Sequence, residues 1–400
     1  MRLRLRKLAS SKCLQAIRMK PRILFYDDYF DIGGHEMMTV EAVRALAPVA
    51  RVSFMLYERN VRLRELLSRP ANGACTTEIV PISYRSWRLQ ETRSLISLRA
   101  NLMVQSKMKE LRPDLVVVAQ GRIELSSLGV IAAKAAGLRI VSYLPLAHPL
   151  KVAGTRLGSS IRECIDWMYY RLPDHFITCT AATMRDIKKH NPAARVIVVP
   201  NGIDVSKKEI GGRDEARAAL GLPNDKYLVS VVGRINLRDK GQGNILRAFS
   251  RNFERLSDVH LLFVGDGPDA AELARQIQKD PCRDCVTMHP WMGDVAPVYA
   301  ASDMIAIPSR FEGFPLVLLE AMYHGLPIIG SRVDAMADVL PEDWLFEYGD
   351  DRGLVDALLK ARTCSADVLS ANHQRVKSEH TIDSFHGNFR AAIEQILGSN

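Results

Sequence analysis

The sequence predicts an α/β protein of two doubly wound parallel-sheet domains facing each other across a cleft. Three observations carry the prediction. Short apolar runs of strand length recur along the chain, most plainly at 115–118 and 261–264, with amphipathic helical stretches between them. The alternation halts at Pro200-Asn201-Gly202, a strong turn signal, and then restarts. A length of 400 residues is long for one domain and ordinary for two.

Taken in order, the first strand is expected at 23–26, ending on Asp27-Asp28, with Gly33-Gly34 and a helix over 37–47 behind it. A second strand is expected at 52–56, then strands at 115–119, 140–144 and 176–178. Helical patterns at 94–111 and 126–136 lie between them, and a strand at 196–199 closes this half. The second half gives strands at 228–232, 261–264, 286–289, 304–307 and 327–329, with helices over 242–255 and 269–279. The expected division is an N-terminal arm over 1–21, a first domain over 22–200 and a second over 201–380. The last segment, 381–400, carries a helix over 384–397 that is expected to pack back on the first domain. In open sheets of this kind ligands bind beyond the carboxyl ends of the strands, so the cleft is the expected site.

Charge separates the arm from the body. Residues 1–22 hold Arg2, Arg4, Arg6, Lys7, Lys12, Arg18, Lys20 and Arg22 and no acid, which accounts for all but one unit of the net charge of +9. Such an arm suits an anionic membrane surface, at about 1 kcal/mol per basic residue near it. It equally suits a solvated tail. The arm has no long apolar stretch of the secretory kind, and no run approaches the ~20 apolar residues of a membrane span. Seven scattered cysteines argue against a disulfide framework. Together these place the chain in the cytoplasm, peripheral on the cytoplasmic face of a membrane if the arm binds there. Cys282 and Cys285 form a CxxC with no second pair, too few ligands for a zinc site. No nucleic-acid partner is expected.

The sharpest segment is Ser309-Arg310-Phe311-Glu312-Gly313-Phe314-Pro315-Leu316, running on to Glu320-Ala321-Met322. Pro315 suits a first helical turn. The amides at Gly313, Phe314 and Leu316 would then form an anion-binding helix end. Glu312 and Glu320 are eight residues apart, about 12 Å along a helix, so they suit two parts of one long ligand better than one metal. Gly233-Arg234 and Lys240-Gly241 follow the strand at 228–232, where an Arg fork and a Lys point charge can neutralise a diphosphate. Gly33-Gly34-His35-Glu36 follows the first strand and allows close backbone approach to a phosphate or sugar. The dinucleotide fingerprint GxGxxG is missing, which counts against a dehydrogenase.

These motifs together resemble the retaining family 4 glycosyltransferases, which have the GT-B fold. The likeness rests on the two glutamates with seven residues between them, the strand before them, Gly-Phe-Pro, and Glu-Ala-Met followed by Gly325-Leu326-Pro327. The resemblance implies Glu312 near the donor sugar, Glu320 on the ribose and the backbone of Gly313, Phe314, Pro315 and Leu316 on sugar and phosphate. It implies Arg234 and Lys240 on the diphosphate, Gly33 and Gly34 on the donor, and His148 facing the sugar. Asn201, Gly202 and Asp204 match the family's Pro-Asn-Gly-x-Asp junction. An acceptor-side role is a candidate for Asp27 and Asp28. One departure stands out: where the family shows glycines and then a glutamate, this chain has Asp334-Ala335 and then Asp338.

The implied activity is transfer from a UDP- or GDP-sugar to a hydroxyl of a saccharide or lipid-linked acceptor, in cell-surface polysaccharide or glycolipid synthesis. The chain has no Asp-x-Asp, so no metal and no other cofactor is expected, and the leaving charge falls to Arg234, Lys240 and helix amides. The competing readings are a non-catalytic nucleotide-sugar-binding or scaffold protein and a sugar phosphorylase of related fold.

Overall fold

The computed structural model describes residues 20–69, 77–87, 90–147, 165, 167–206 and 212–399. Two parallel sheets organise them. The first contains β1 (Arg22–Asp27), β2 (Arg51–Tyr57), β3 (Glu78–Ile82), β4 (Leu115–Ala119), β5 (Ile140–Tyr143), β6 (His175–Thr178) and β7 (Val196–Val198), in the order β3-β2-β1-β4-β5-β6-β7. The second contains β8 (Tyr227–Val232), β9 (Val259–Val264), β10 (Val286–His289), β11 (Met304–Ile307), β12 (Ile328–Ser331) and β13 (Leu345–Phe346), in the order β10-β9-β8-β11-β12-β13. Every pairing is parallel.

Central strands such as β4 and β9 are buried at every position, because helices cover both faces of a parallel sheet. That burial is why their sequences read as unbroken apolar runs. Strand order reverses between β1 and β4 and again between β8 and β11, so each sheet opens a crevice at its middle. The predicted α/β class and the two parallel sheets are as expected. The helix expected over 94–111 is two, Gln90–Ile96 and Leu98–Leu111, broken at Ser97. The one expected over 242–255 ends at Arg251, with a 3₁₀ turn at Phe253–Arg255 behind it.

Two crossings join the halves. The stretch after β7 runs through Asn201, Gly202 and Ile203, and the return crossing runs through His380 and Thr381. They lie side by side: Ile203 N donates to His380 O at 2.9 Å and Ile382 N to Ile203 O at 2.8 Å. A β-carbon on Gly202 would stand 2.2 Å from the Thr381 carbonyl oxygen, so the approach requires glycine. The return crossing leads into the last helix, Ile382–Gly398. Its Phe385, Phe389, Ala392, Ile393 and Ile396 are buried in the same core as Ile23 and Phe25 of β1 and Val43 and Leu46 of α1 (Gly34–Leu46). The chain's end thus completes the first half's core.

Candidate active site

The second sheet supplies the charged groups. Arg234 and Lys240 lie in the loop between β8 and α8 (Gln242–Arg251). Glu312 lies in the loop between β11 and α11 (Leu316–Tyr323). These two loops flank the middle crevice of the sheet, because β8 and β11 are neighbours. Lys240 Nζ stands 2.5 Å from Glu312 Oε1, and Ser309 Oγ donates to the same oxygen at 2.6 Å. Glu312 is buried, with 8% of its surface exposed. Desolvation makes an isolated carboxylate costly there, and a lysine plus a hydroxyl supply the compensation. Pro315 occupies the cap position of α11 and not its first turn as expected, so the helix begins at Leu316.

Glu320 lies one turn into α11, and its Oε2 accepts a 2.5 Å hydrogen bond from the Tyr299 hydroxyl. Burial and the Glu320 charge both hold the Tyr299 phenol protonated. The Tyr299 ring is fixed in turn by stacking on His324, with centroids 5.1 Å apart and planes 9° from parallel. Glu320 is therefore held at one carboxylate oxygen by a rigid partner.

Asp334 explains the departure in the glycine loop. Its φ is +45°, the left-handed region that a glycine occupies without cost and that Asp tolerates better than most residues. It opens the helix Asp334–Val339, and its Oδ2 accepts a 3.0 Å hydrogen bond from the Glu312 amide. Asp338, in the family's glutamate position, faces away to Arg185 of the first half, 3.8 Å from it at a half-exposed surface.

The first half approaches from the opposite wall. Gly33 caps α1, and its amide donates to Glu36 Oε2 at 2.6 Å. A β-carbon on Gly34 would stand 3.8 Å from the Leu316 side chain, so the Gly33-Gly34 turn faces the start of α11. A β-carbon on Gly313 would stand 2.5 Å from the Pro145 carbonyl oxygen, beyond β5, so only glycine fits that contact. The Phe314 carbonyl accepts from Asn201 Nδ2 at 2.7 Å, and its ring lies 5.1 Å from His380. Arg234 spans the cleft, donating to the Tyr29 hydroxyl at 3.1 Å and standing 3.5 Å from Asp31 Oδ2. Burial opposes its charge, but Tyr29, Glu36 and Asp31 more than restore it. His148 lies outside the described residues.

Behind this wall the groups are buried. Asp27 and Asp28 expose 1% and 0% of their surface. Asp28 accepts hydrogen bonds from Tyr26 OH at 2.9 Å and from the Ser86 hydroxyl, and burial pushes its carboxyl up to about 6. It braces two loops and does not line the cleft. Burial also raises Asp27, with Glu36 adding to the effect. The His35 ring lies against Tyr143, 4.9 Å between centroids, and burial drives it down to about 3, so the imidazole stays neutral.

The sequence did not single out Tyr29, Asp31 or Tyr299, and it marked Asp334 only as an acid where glycine was expected. The assembled site has two cations, each now facing carboxylates, at a sheet crevice beside a helix start. That arrangement can exchange a protein carboxylate for a ligand phosphate with little loss of charge balance.

Comparison with known proteins agrees. The profile of Glycosyltransferase Family 4 matches residues 32–207, and that of Glycosyl transferases group 1 matches 226–363. A D-inositol 3-phosphate glycosyltransferase of Segniliparus rotundus is 32% identical over 216 residues, 50% of this chain and 47% of that protein. The same-named protein of Mycolicibacterium smegmatis is 30% identical over 225 residues. The chain thus aligns with about half the length of these curated relatives. A UDP-Gal:alpha-D-GlcNAc-diphosphoundecaprenol alpha-1,3-galactosyltransferase of Escherichia coli is 27% identical, covering 68% of this chain and 70% of that one. Among solved structures, Anabaena HepE in complex with UDP-glucose superposes with a TM-score of 0.73 at 18% identity, covering 94% of this chain and 99% of that one. Sucrose-phosphate synthase from Thermosynechococcus elongatus superposes with a TM-score of 0.75 at 20% identity, covering 95% and 100%. With one profile on each sheet and the GT-B architecture over nearly its whole length, the chain belongs to the group 1, family 4 glycosyltransferases.

Proposed function

We propose that the chain transfers a sugar, with retention of configuration and without a metal, from a UDP- or GDP-sugar to a hydroxyl of a saccharide or lipid-linked acceptor. The observation that carries this is the Lys240–Glu312 pair at the crevice of the second sheet, with Arg234 in the same loop as Lys240 and facing Asp31 across the cleft. The diphosphate would take Lys240 and Arg234 as counter-ions, Glu312 would position the sugar and Glu320 would take the ribose. The C1–O bond to the diphosphate breaks, the acceptor oxygen bonds C1 on the same face, and the acceptor proton passes to a leaving phosphate oxygen. Arg234 and Lys240 stabilise the charge that develops there, a role typically worth about 10²–10³ in rate per group. Gly33 and Gly34 would meet the donor from the opposite wall.

The E. coli relative's name, with its diphosphoundecaprenol acceptor, supports a lipid-linked substrate in cell-surface glycan synthesis. The basic residues of 1–22 would hold the chain on the cytoplasmic membrane face. Among the described residues no helix is long and apolar enough to cross a membrane.

Titration calorimetry with UDP, GDP and their sugars, with chelator present, tests the donor reading. One nucleotide is expected to bind, and R234A/K240A is expected to lose that binding. Heat from no nucleotide, or full turnover by the double variant, sinks it. For the arm, deletion of residues 1–20 is expected to abolish co-sedimentation with phosphatidylglycerol vesicles; unchanged sedimentation ends that idea.

A further inference from the structure

Among the described residues, Leu95, Ile96, Leu98 and Leu102 leave a run of exposed apolar side chains along the two consecutive helices Gln90–Ile96 and Leu98–Leu111, and most of the others are single. A second group sits at the cleft. Tyr29 and Phe30 follow β1 with ring centroids 4.9 Å apart, and the Phe30 ring lies 5.7 Å from that of Trp87, in the loop after β3. Phe30 and Trp87 keep 40% and 46% of their surface exposed. The Arg85 guanidinium lies 4.3 Å from the Trp87 ring centroid and 5.9 Å from that of Phe30. Two aromatic faces and one planar cation therefore form a continuous surface, beyond the carboxyl ends of β1 and β3.

This surface is built. Ser86, between Arg85 and Trp87, is buried. Its amide donates to the Asp28 carbonyl at 2.9 Å, its hydroxyl donates to the Asp28 carboxylate, and its Oγ accepts the Ser126 amide at 2.9 Å. The Trp87 amide donates to Gln90 Oε1 at 3.1 Å. With Ser86 pinned from below, its two neighbours are held at the surface in fixed positions.

The surface is also continuous with the site described above, because Tyr29 is the residue that Arg234 reaches across the cleft. A molecule lying on Phe30 and Trp87 would present its near end to the place where Arg234 meets the donor. A sugar ring has an apolar face that aromatic rings cover well, and an arginine fork matches a phosphate or carboxylate. A cation already stacked on an indole loses less freedom when it engages an anion.

Resting on the glycosyltransferase reading, we propose that Phe30, Arg85 and Trp87 form the acceptor platform and select a saccharide or polyol carrying an anionic substituent, the rings taking the sugar face and Arg85 the anion.

Tryptophan fluorescence tests this on the full chain, in the presence of saturating UDP. The probes are glucose 6-phosphate and inositol 1-phosphate, each beside its unphosphorylated counterpart, and vesicles of phosphatidylglycerol. The phosphorylated probes are expected to quench the emission and to bind at least about tenfold more tightly than the neutral ones, a gap of about 1.4 kcal/mol. R85A is expected to erase that preference, R85K to restore part of it, and W87A to remove the quenching, while UDP binding measured by calorimetry persists in all three. The proposal is overturned if the chain binds UDP but no soluble probe, if R85A keeps the preference, or if W87A and R85A lose only vesicle binding, which would make the surface a membrane contact. A chain that binds no nucleotide at all fails the glycosyltransferase reading, and the platform falls with it.

Discussion

Asp28 is a carboxylate with no surface in water, held by Tyr26 and Ser86. Burial raises its pKa from the ordinary value to about 6, so the folded chain binds the proton more tightly than the unfolded chain does. The resulting stabilisation is complete below about pH 4 and is lost as pH rises through 6. An Asn keeps an acceptor there and does not ionise. Asp28→Asn is therefore expected to gain on the wild type between pH 5 and pH 7.5, by no more than about 3 kcal/mol. Thermal melts at the two pH values check it; a gap that stays constant with pH contradicts the assignment. At this scale the sequence showed the place of the charged groups better than their pairing. Arg234, Lys240 and Glu312 were legible because each follows a strand end. That Lys240 neutralises Glu312, 72 residues away, was not, since only the adjacency of β8 and β11 brings them together. Tyr29 and Asp31 were invisible for the same reason: their partner, Arg234, is on the other sheet.

Elements were legible where burial imposes a pattern. The doubly covered strands β1, β4, β8, β9 and β11 are dense in Val, Leu and Ile, and the expected ranges fall on them within two residues. The edge strand β3 carries Glu78 and Pro81, both exposed, and an edge needs neither an apolar run nor every amide. One edge of the second sheet, β13, is two residues long, too short for any periodicity. Shorter helices such as Val61–Ser68 and Arg213–Ala219 were also missed, their apolar stripes being one or two residues wide. The last helix shows what periodicity does reveal: an apolar stripe of Phe385, Phe389, Ile393 and Ile396 demands a partner face. That face is α1 and the core behind β1. Phe389→Ala is accordingly expected to destabilise the first half by about 3–5 kcal/mol, although residue 389 follows the second in sequence. Differential scanning calorimetry should show the loss; an unaltered melt would mean that the helix is not part of that core.

At the scale of the whole molecule, the contacts between the two halves include Arg234 with Tyr29, Arg62 with the Trp291 ring, Gly34 with Leu316, Gly313 with Pro145, Asn201 with Phe314, and Arg185 with Asp338. Most of these are polar or single contacts, the kind that domain interfaces able to move tend to use. The covalent links are firmer, because the crossing at Ile203 and the one at Thr381 are hydrogen-bonded to each other. Gly202→Ala places a methyl group against the Thr381 carbonyl and is expected to separate them. The expected outcome is a fall in kcat of about tenfold or more with nucleotide binding preserved, since misplacement of about 1 Å between reacting groups can cost 10²-fold. Equal kcat in wild type and variant would show that the spacing of the crossings does not govern the chemistry.

The paired crossings have a geometric corollary. A body tethered by one strand can swivel about any axis through it, whereas two strands laced edge to edge leave a single easy bend, like the spine of a book. Any opening of the cleft is then confined to one arc, and each return brings the Gly33-Gly34 turn to the same place over the start of α11. The fidelity of that return resides in a stretch of backbone outside the loops that carry Arg234, Lys240 and Glu312.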